Sequence, residues 1–147
     1  MKAVRHFGIV VSDMETSLYF YRNLLGLKVA KVMEESGEYI DNVLSLEGVR
    51  VATVKMSADS GSTLVELLEF KSHPRPIHGE PEVYSAGPSH VAFTVDDLDG
   101  VYRRLSESGV RFKAPPQQSP DGYAKVAFCR DPDGTLIELV EVLEDER

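Results

Sequence analysis

The chain repeats itself, and this duplication constrains the fold more than any other feature of its 147 residues. Residues 5–29 (RHFGIVVSDMETSLYFYRNLLGLKV) align with residues 89–112 (SHVAFTVDDLDGVYRRLSESGVRF) after a one-residue slip. A second match is tighter, because TLVELLE at 63–69 aligns with TLIELVE at 135–141. The repeat is too long for a solenoid unit and predicts a duplicated half-domain.

Hydrophobic periodicity and turn residues predict the same order of elements in both modules. For module one we predict a strand at 3–11, a helix from Ser12 or Asp13 to about Leu25 that is stopped by Gly26, and strands at 27–33, 48–56 and 63–70. For module two we predict a strand at 89–95, a helix at 97–108 that is stopped by Gly109, and strands at 110–113, 123–130 and 135–142. Turns are predicted at 34–42, at 57–62 and at the DPDG sequence of 131–134. The predicted fold class is α+β, with two repeated βαβββ modules forming a concave or barrel-like mixed sheet with outer helices.

We expect a single domain over residues 1–147, made of module one (1–70), a linker (71–88), module two (89–142) and an acidic tail (143–147). The linker is rich in Pro, Gly and His, and its length in a small domain is typical of a functional or mobile segment. It is either a crossover connection or a lid over a substrate. Five polar residues are candidates for contact with an anionic substrate group: His73, Arg75, His78, Tyr123 and Lys125. The simpler interpretation, that they are exposed loop residues without a function, is favoured.

Composition excludes several classes of protein. Sixteen Lys and Arg against 24 Asp and Glu give a formal net charge of −8, without the basic clusters that nucleic-acid binding needs. The apolar runs are too short for a membrane span, and the N-terminus has no signal-peptide cleavage site. The single cysteine, Cys129, excludes an internal disulfide, and its strand context predicts a buried structural thiol. We therefore expect a cytoplasmic protein with a small-molecule substrate and no nucleic-acid or membrane partner.

Each module carries a histidine at the start of its first strand and a glutamate in its last strand. His6 aligns with His90, and Glu66 aligns with Glu138. Each glutamate lies on an otherwise apolar strand face, where an ionised carboxylate is costly unless it is paired or bound to a metal. Imidazole and carboxylate ligands suit a borderline divalent ion such as Zn²⁺, Ni²⁺, Co²⁺, Mn²⁺ or Fe²⁺. The pattern predicts one such ion per site.

Any one of these four residues, taken alone, favours a structural interpretation: a hydrogen-bonded histidine or a glutamate at a solvated rim. Four residues at mirrored positions favour the metal site. Glu69 and Glu141 also repeat, but strand alternation places them on the opposite face, so we predict that they are outer or rim residues.

Four motifs carry a family resemblance that covers nearly the whole chain: HFGIVVSDMETSLYFYRNLLGL, ELLE, SHVAFTVDDLD and DPDGTLIELVE. With them the chain resembles the vicinal oxygen chelate superfamily, which includes glyoxalase I, methylmalonyl-CoA epimerase, extradiol dioxygenases, fosfomycin-resistance thiol transferases and bleomycin-binding proteins. The pattern is most similar to the glyoxalase I-like and epimerase-like members. These motifs are specific for the fold and weak for the reaction.

The resemblance implies that the metal ligands are His6, Glu66, His90 and Glu138. Glyoxalase-like and epimerase-like relatives have a Glu or Gln ligand at the position of Glu66, so this residue favours proton-transfer chemistry. The implied function is a divalent-metal-dependent isomerase or lyase that moves a proton next to a carbonyl or thioester through a metal-stabilised enolate, with Glu66 or Glu138 as the base.

Two alternatives stay open at this point. The first is an Fe²⁺ extradiol-type dioxygenase that uses His6, His90 and Glu138 and leaves Glu66 without a role. The second is a non-catalytic protein that binds a drug or metabolite, although the intact set of ligands counts against the bleomycin-binding class. The resemblance also implies a homodimer, with each metal site formed either within one chain or across the subunit interface.

Overall fold

Eight strands pair into two four-stranded sheets, one from each half of the chain. The computed structural model describes residues 1–74 and 79–143. The strands are β1 (His6–Val10), β2 (Lys28–Ser36), β3 (Arg50–Ser57), β4 (Leu64–Phe70), β5 (His90–Thr94), β6 (Gln117–Gln118), β7 (Ala124–Arg130) and β8 (Leu136–Val142). The helices are α1 (Met14–Leu18), which continues as a π-helical turn over Tyr19–Leu24, α2 (Glu38–Leu44) and α3 (Leu98–Glu107).

The two sheets have the same topology. The strand order is β1-β4-β3-β2 in one and β5-β8-β7-β6 in the other. In each, the first strand pairs in parallel with the last, and the other pairs are antiparallel. This confirms the α+β class and the duplication, and the described strands form two sheets that are not closed into a single barrel.

Residue contacts divide the chain into a first unit, Met1–Ile77, and a second unit, His78–Arg147. The boundary falls inside the predicted linker. On the first-unit side, the Lys71 ammonium lies 2.7 Å from a Glu34 carboxylate oxygen. On the second-unit side, Glu80 pairs with Arg111, and Arg130 donates to the Pro81 carbonyl at 2.8 Å. Both described ends of the linker are thus attached to their own unit, and the lid stays a prediction.

The last strand of each unit buries one face. Val65 and Leu67 flank Glu66 and are 7% and 0% exposed, and the equivalent Ile137 and Leu139 are 0% and 1% exposed. Burial of such side chains stabilises a fold by roughly 1.5–3 kcal/mol each. The alternation directs Glu66 and Glu138 to the other face of their sheets.

The carboxylates of Glu69 on β4 and Glu141 on β8 each reach the first residue of a helix. A Glu69 carboxylate oxygen accepts the backbone N–H of Met14 at 2.9 Å, and Glu141 accepts that of Leu98 at 2.8 Å. A carboxylate at a helix N-terminus accepts a hydrogen bond from an otherwise unpaired backbone N–H and interacts favourably with the positive end of the helix dipole. These residues therefore lie on the helix-bearing side of their sheets, opposite Glu66 and Glu138, as strand alternation predicted.

Two of the predicted elements are wrong. The segment 34–42 is not a turn, because β2 continues to Ser36 and α2 follows. The carboxylate of Asp41 holds α2 to the next loop by accepting the backbone N–H groups of Gly48 and Val49 at 3.1 and 2.8 Å. The helix has apolar residues at helical spacing, but it is only seven residues long and none of them is buried, so its periodic signal is short: Tyr39, Ile40, Val43 and Leu44.

The predicted strand at 110–113 forms only an isolated bridge between Phe112 and Cys129. Pro115 and Pro116 follow after Ala114 and carry no N–H for a sheet ladder, so regular pairing resumes only at β6.

Cys129 is fully buried on β7, as predicted, and burial raises the pKa of its thiol to about 12. Among the described residues, no helix has the length and hydropathy needed to cross a membrane. Arg75, His78 and the tail beyond position 143 lie outside the described residues.

Candidate metal-binding residues

In the first unit, His6 and Glu66 lie on neighbouring parallel strands. Glu66 is paired with Gly8, two residues beyond His6, so the two side chains project from the same face of the sheet. The Nε2 atom of His6 lies 3.7 Å from a carboxylate oxygen of Glu66, and the two side chains are 34% and 13% exposed. Gly8 has no side chain to cover the carboxylate from the β1 side.

In the second unit, His90 and Glu138 repeat this arrangement with the same register. Glu138 is paired with Ala92, again two residues beyond the histidine. The Nε2 atom of His90 lies 2.8 Å from a carboxylate oxygen of Glu138. The other ring nitrogen, Nδ1, is 2.9 Å from the Ser89 hydroxyl, which fixes the ring so that Nε2 points to the glutamate.

Within each pair, the histidine nitrogen and the glutamate oxygen are close enough to bind the same metal ion. Two ligands bound at about 2.1 Å from a metal are at most about 4.2 Å apart, and both His–Glu distances fall below that limit. Within the described residues of either unit, no group of three or more His, Cys, Asp or Glu is arranged to hold a metal. Each unit therefore offers two ligands, and the binding of one ion by all four residues stays a prediction.

The two units differ beside the glutamate. On β3, Lys55 is the register partner of Glu66, and its ammonium lies 3.8 Å from the second carboxylate oxygen. On β7, the register partner of Glu138 is Phe128, whose ring packs edge-on against His90 with centroids 5.1 Å apart. Lys55 was not among the residues predicted from the sequence, although pairing of the strands around the 57–62 turn places it opposite Glu66.

The other polar candidates have partners elsewhere. The Lys125 ammonium lies 2.8 Å from Asp99, and this hydrogen bond raises its pKa. The Nδ1 atom of His73 is 2.8 Å from the Ser72 hydroxyl. These contacts agree with the simpler interpretation of both side chains as surface polar groups.

Comparison with known proteins agrees with this architecture. Residues 3–139 match the family model described as the Glyoxalase/Bleomycin resistance protein/Dioxygenase superfamily. The uncharacterized protein YwkD of Bacillus subtilis (strain 168) is 33% identical, with 96% of this chain and 98% of that protein covered. The crystal structure of a glyoxalase family protein from Bacillus cereus superimposes with a TM-score of 0.90 at 25% identity, over 98% of this chain and 96% of that one.

A lactoylglutathione lyase of Schizosaccharomyces pombe (strain 972 / ATCC 24843) is 31% identical over 96% of this chain. The match covers 48% of that enzyme, so the chain spans about half of its length. The chain belongs to the Glyoxalase/Bleomycin resistance protein/Dioxygenase superfamily. This confirms the resemblance on which the sequence analysis relied.

Proposed function

We propose that the protein is a divalent-metal-dependent isomerase or lyase of the glyoxalase type, which moves a proton next to a carbonyl or thioester group of a small molecule. The observation that carries the proposal is the pair of His–Glu arrangements with the same strand register in two sheets. Similarity to a lactoylglutathione lyase supports this class of reaction.

Four residues would hold the ion: His6, Glu66, His90 and Glu138. When bound, the ion supplies Lewis-acid polarisation of the substrate carbonyl. Two imidazoles and two carboxylates suit Zn²⁺, Ni²⁺, Co²⁺, Mn²⁺ and Fe²⁺ alike. In the second unit the Ser89 contact orients the His90 ring, so that its Nε2 atom is the one available as a ligand.

The carboxylates supply the base. A C–H bond next to the carbonyl breaks, its proton passes to a carboxylate oxygen of Glu66 or Glu138, and the proton then returns to the neighbouring carbon or to the opposite face of the same carbon. The reaction is a rearrangement without net oxidation. Both glutamates keep some contact with solvent, since their side chains are 13% and 21% exposed, so a transferred proton can exchange with the surrounding water.

Exchange of substrate hydrogen with solvent deuterium tests this function directly. The metal-loaded protein is incubated in D₂O with 2-oxo aldehyde–thiol adducts and with acyl thioesters, and proton NMR records loss of the hydrogen next to the carbonyl. We expect Glu→Gln at the base to abolish exchange while most of the metal is retained. If Glu66→Gln exchanges at the wild-type rate, Glu66 is not the base, and the same holds for Glu138→Gln.

The matched controls are Glu69→Gln and Glu141→Gln. They change the same residue type on the same strands, on the opposite face of each sheet. The amide keeps an oxygen that accepts the helix N–H, so both control variants should exchange at the wild-type rate. If both Glu66→Gln and Glu138→Gln exchange the substrate hydrogen at the wild-type rate, the proton-transfer function is rejected.

The structure favours proton transfer over the dioxygenase alternative. A dioxygenase site built from His6, His90 and Glu138 leaves Glu66 unused, whereas Glu66 faces His6 in the register that Glu138 has with His90. Oxygen uptake with catechols under Fe²⁺ would reverse this preference. Failure to bind any divalent ion would favour the non-catalytic binding protein. The homodimer implied by the family belongs to the same proposal and is measured by native mass spectrometry.

A further inference from the structure

We propose that Lys55, with Lys31 beside it, binds a carboxylate group of the substrate, so that the substrate is a carbonyl compound with a carboxylate remote from the reacting carbon. This inference rests on the proposed function, because it places the carboxylate relative to the glutamate that would hold the metal. It makes Lys55 a specificity-determining residue.

The strand register places the cations. Across the first sheet, Gly8, Glu66, Lys55 and Lys31 form one row of directly paired positions, from β1 through β4 and β3 to β2. Directly paired residues project from the same face, with Cβ atoms about 4.5–5.5 Å apart. The row therefore runs from a proposed metal ligand to two lysines on one surface of the sheet.

In the equivalent row of the second sheet, the position next to the glutamate is aromatic. The row contains Ala92, Glu138 and Phe128, and the Phe128 ring contacts His90. The duplication preserved the His–Glu pair and changed the neighbour from a cation to an aromatic ring. A substrate with one anionic end and one less polar end suits this difference.

Charge indicates an anionic group. Two ionised glutamates balance a divalent ion, so the positive charges of Lys55 and of Lys31 beside it remain to be balanced. The Lys55 side chain is 31% exposed and within reach of solvent, yet it is held 3.8 Å from Glu66. A carboxylate of the substrate fits this charge. It can approach the ammonium once a bound ion compensates the negative charge of Glu66.

Calorimetry with two five-carbon ligands tests the inference. 2-Oxoglutarate and 2-oxopentanoate share the carbonyl end and differ in the terminal carboxylate. With Ni²⁺-loaded protein we expect 2-oxoglutarate to bind about tenfold more tightly, a typical value for one charge-assisted contact. Lys55→Met should remove this preference and leave 2-oxopentanoate binding unchanged. Lys55→Arg, which keeps the positive charge, should retain the preference for 2-oxoglutarate. Lys113→Met is the control, because it removes the same charge in the second unit.

A metal-free arm separates this inference from the proposed function. Glu66→Gln releases Lys55 from its carboxylate partner, so the metal-free variant should bind 2-oxoglutarate in preference to 2-oxopentanoate, and adding Lys55→Met should remove that preference. Failure to load metal rejects the proposed function, and this arm then decides the role of Lys55. Equal affinity for the two ligands, a preference that survives Lys55→Met, or no dicarboxylate binding in either arm overturns the inference.

Discussion

Replacement of Lys55 by Met should tighten metal binding. The Lys55 ammonium lies 3.8 Å from Glu66, so a divalent ion that uses this carboxylate must compete with a cation already present. Methionine keeps much of the length and apolar contact of the lysine side chain and removes its charge. Metal affinity should therefore rise, although a charged group has been lost from the site.

The distance sets the magnitude. Two unit charges 3.8 Å apart interact by about 1.1 kcal/mol in water and by about 4.4 kcal/mol at an effective dielectric constant of 20. The Lys55 side chain is 31% exposed, which places the pair near the lower value. A change of about 1.1 kcal/mol corresponds to roughly sixfold tighter binding. Repulsion between the ammonium and the ion acts in the same direction.

Competition with a chromophoric chelator measures the change at low ionic strength. Lys113→Met removes the same net charge from the second unit and should bind metal like the wild type. The gain in Lys55→Met should shrink as salt is added, because the screening length falls. If Lys55→Met binds the metal no more tightly than Lys113→Met does, Lys55 does not compete with the ion for Glu66.

Two further predictions concern the core. Leu139→Ala should lower the free energy of unfolding by about 2–5 kcal/mol, since the side chain is 1% exposed. Val32→Ala, at a 67% exposed position, should change it by less than about 0.5 kcal/mol. Urea unfolding followed by circular dichroism measures both changes, and equal losses would contradict the burial of Leu139. The Cys129 thiol should react with Ellman's reagent at pH 8 only after unfolding, because its pKa is raised to about 12. The raised pKa leaves stability unaffected below pH 9 and lowers it as the pH rises from 9 toward 12, where the unfolded chain loses the proton first. Rapid reaction of the native thiol would show that Cys129 is accessible.

The repeat made much of the fold predictable. Alternating apolar residues on either side of Glu66 and Glu138 placed both last strands, and Gly26 and Gly109 ended their helices in left-handed conformation, with φ of 80° and 88°. Helix α2 was missed because seven residues are fewer than the window over which helical periodicity is reliable. The hydrogen bonds by which Asp41 holds the helix to the loop that follows leave no periodic signal in the sequence.

The site was predictable only in part. Alignment of the modules selected His6, Glu66, His90 and Glu138 as candidate ligands, and the structure brings each His–Glu pair together within its own unit. Lys55 has no counterpart in the second module, where Phe128 takes its place, so comparison of the modules does not reveal it. A residue that distinguishes the two halves is found from strand register.

Metal stoichiometry in single-ligand variants tests the shared site most directly. Each protein is loaded with Ni²⁺ or Zn²⁺ after chelation, and native mass spectrometry with elemental analysis counts the ions per chain. We predict about one ion per chain in the wild type and, because the proposed site takes two ligands from each unit, loss of most of that ion in both His6→Ala and His90→Ala. Retention of the full ion in either variant, or no ion in the wild type under any loading, would contradict this prediction.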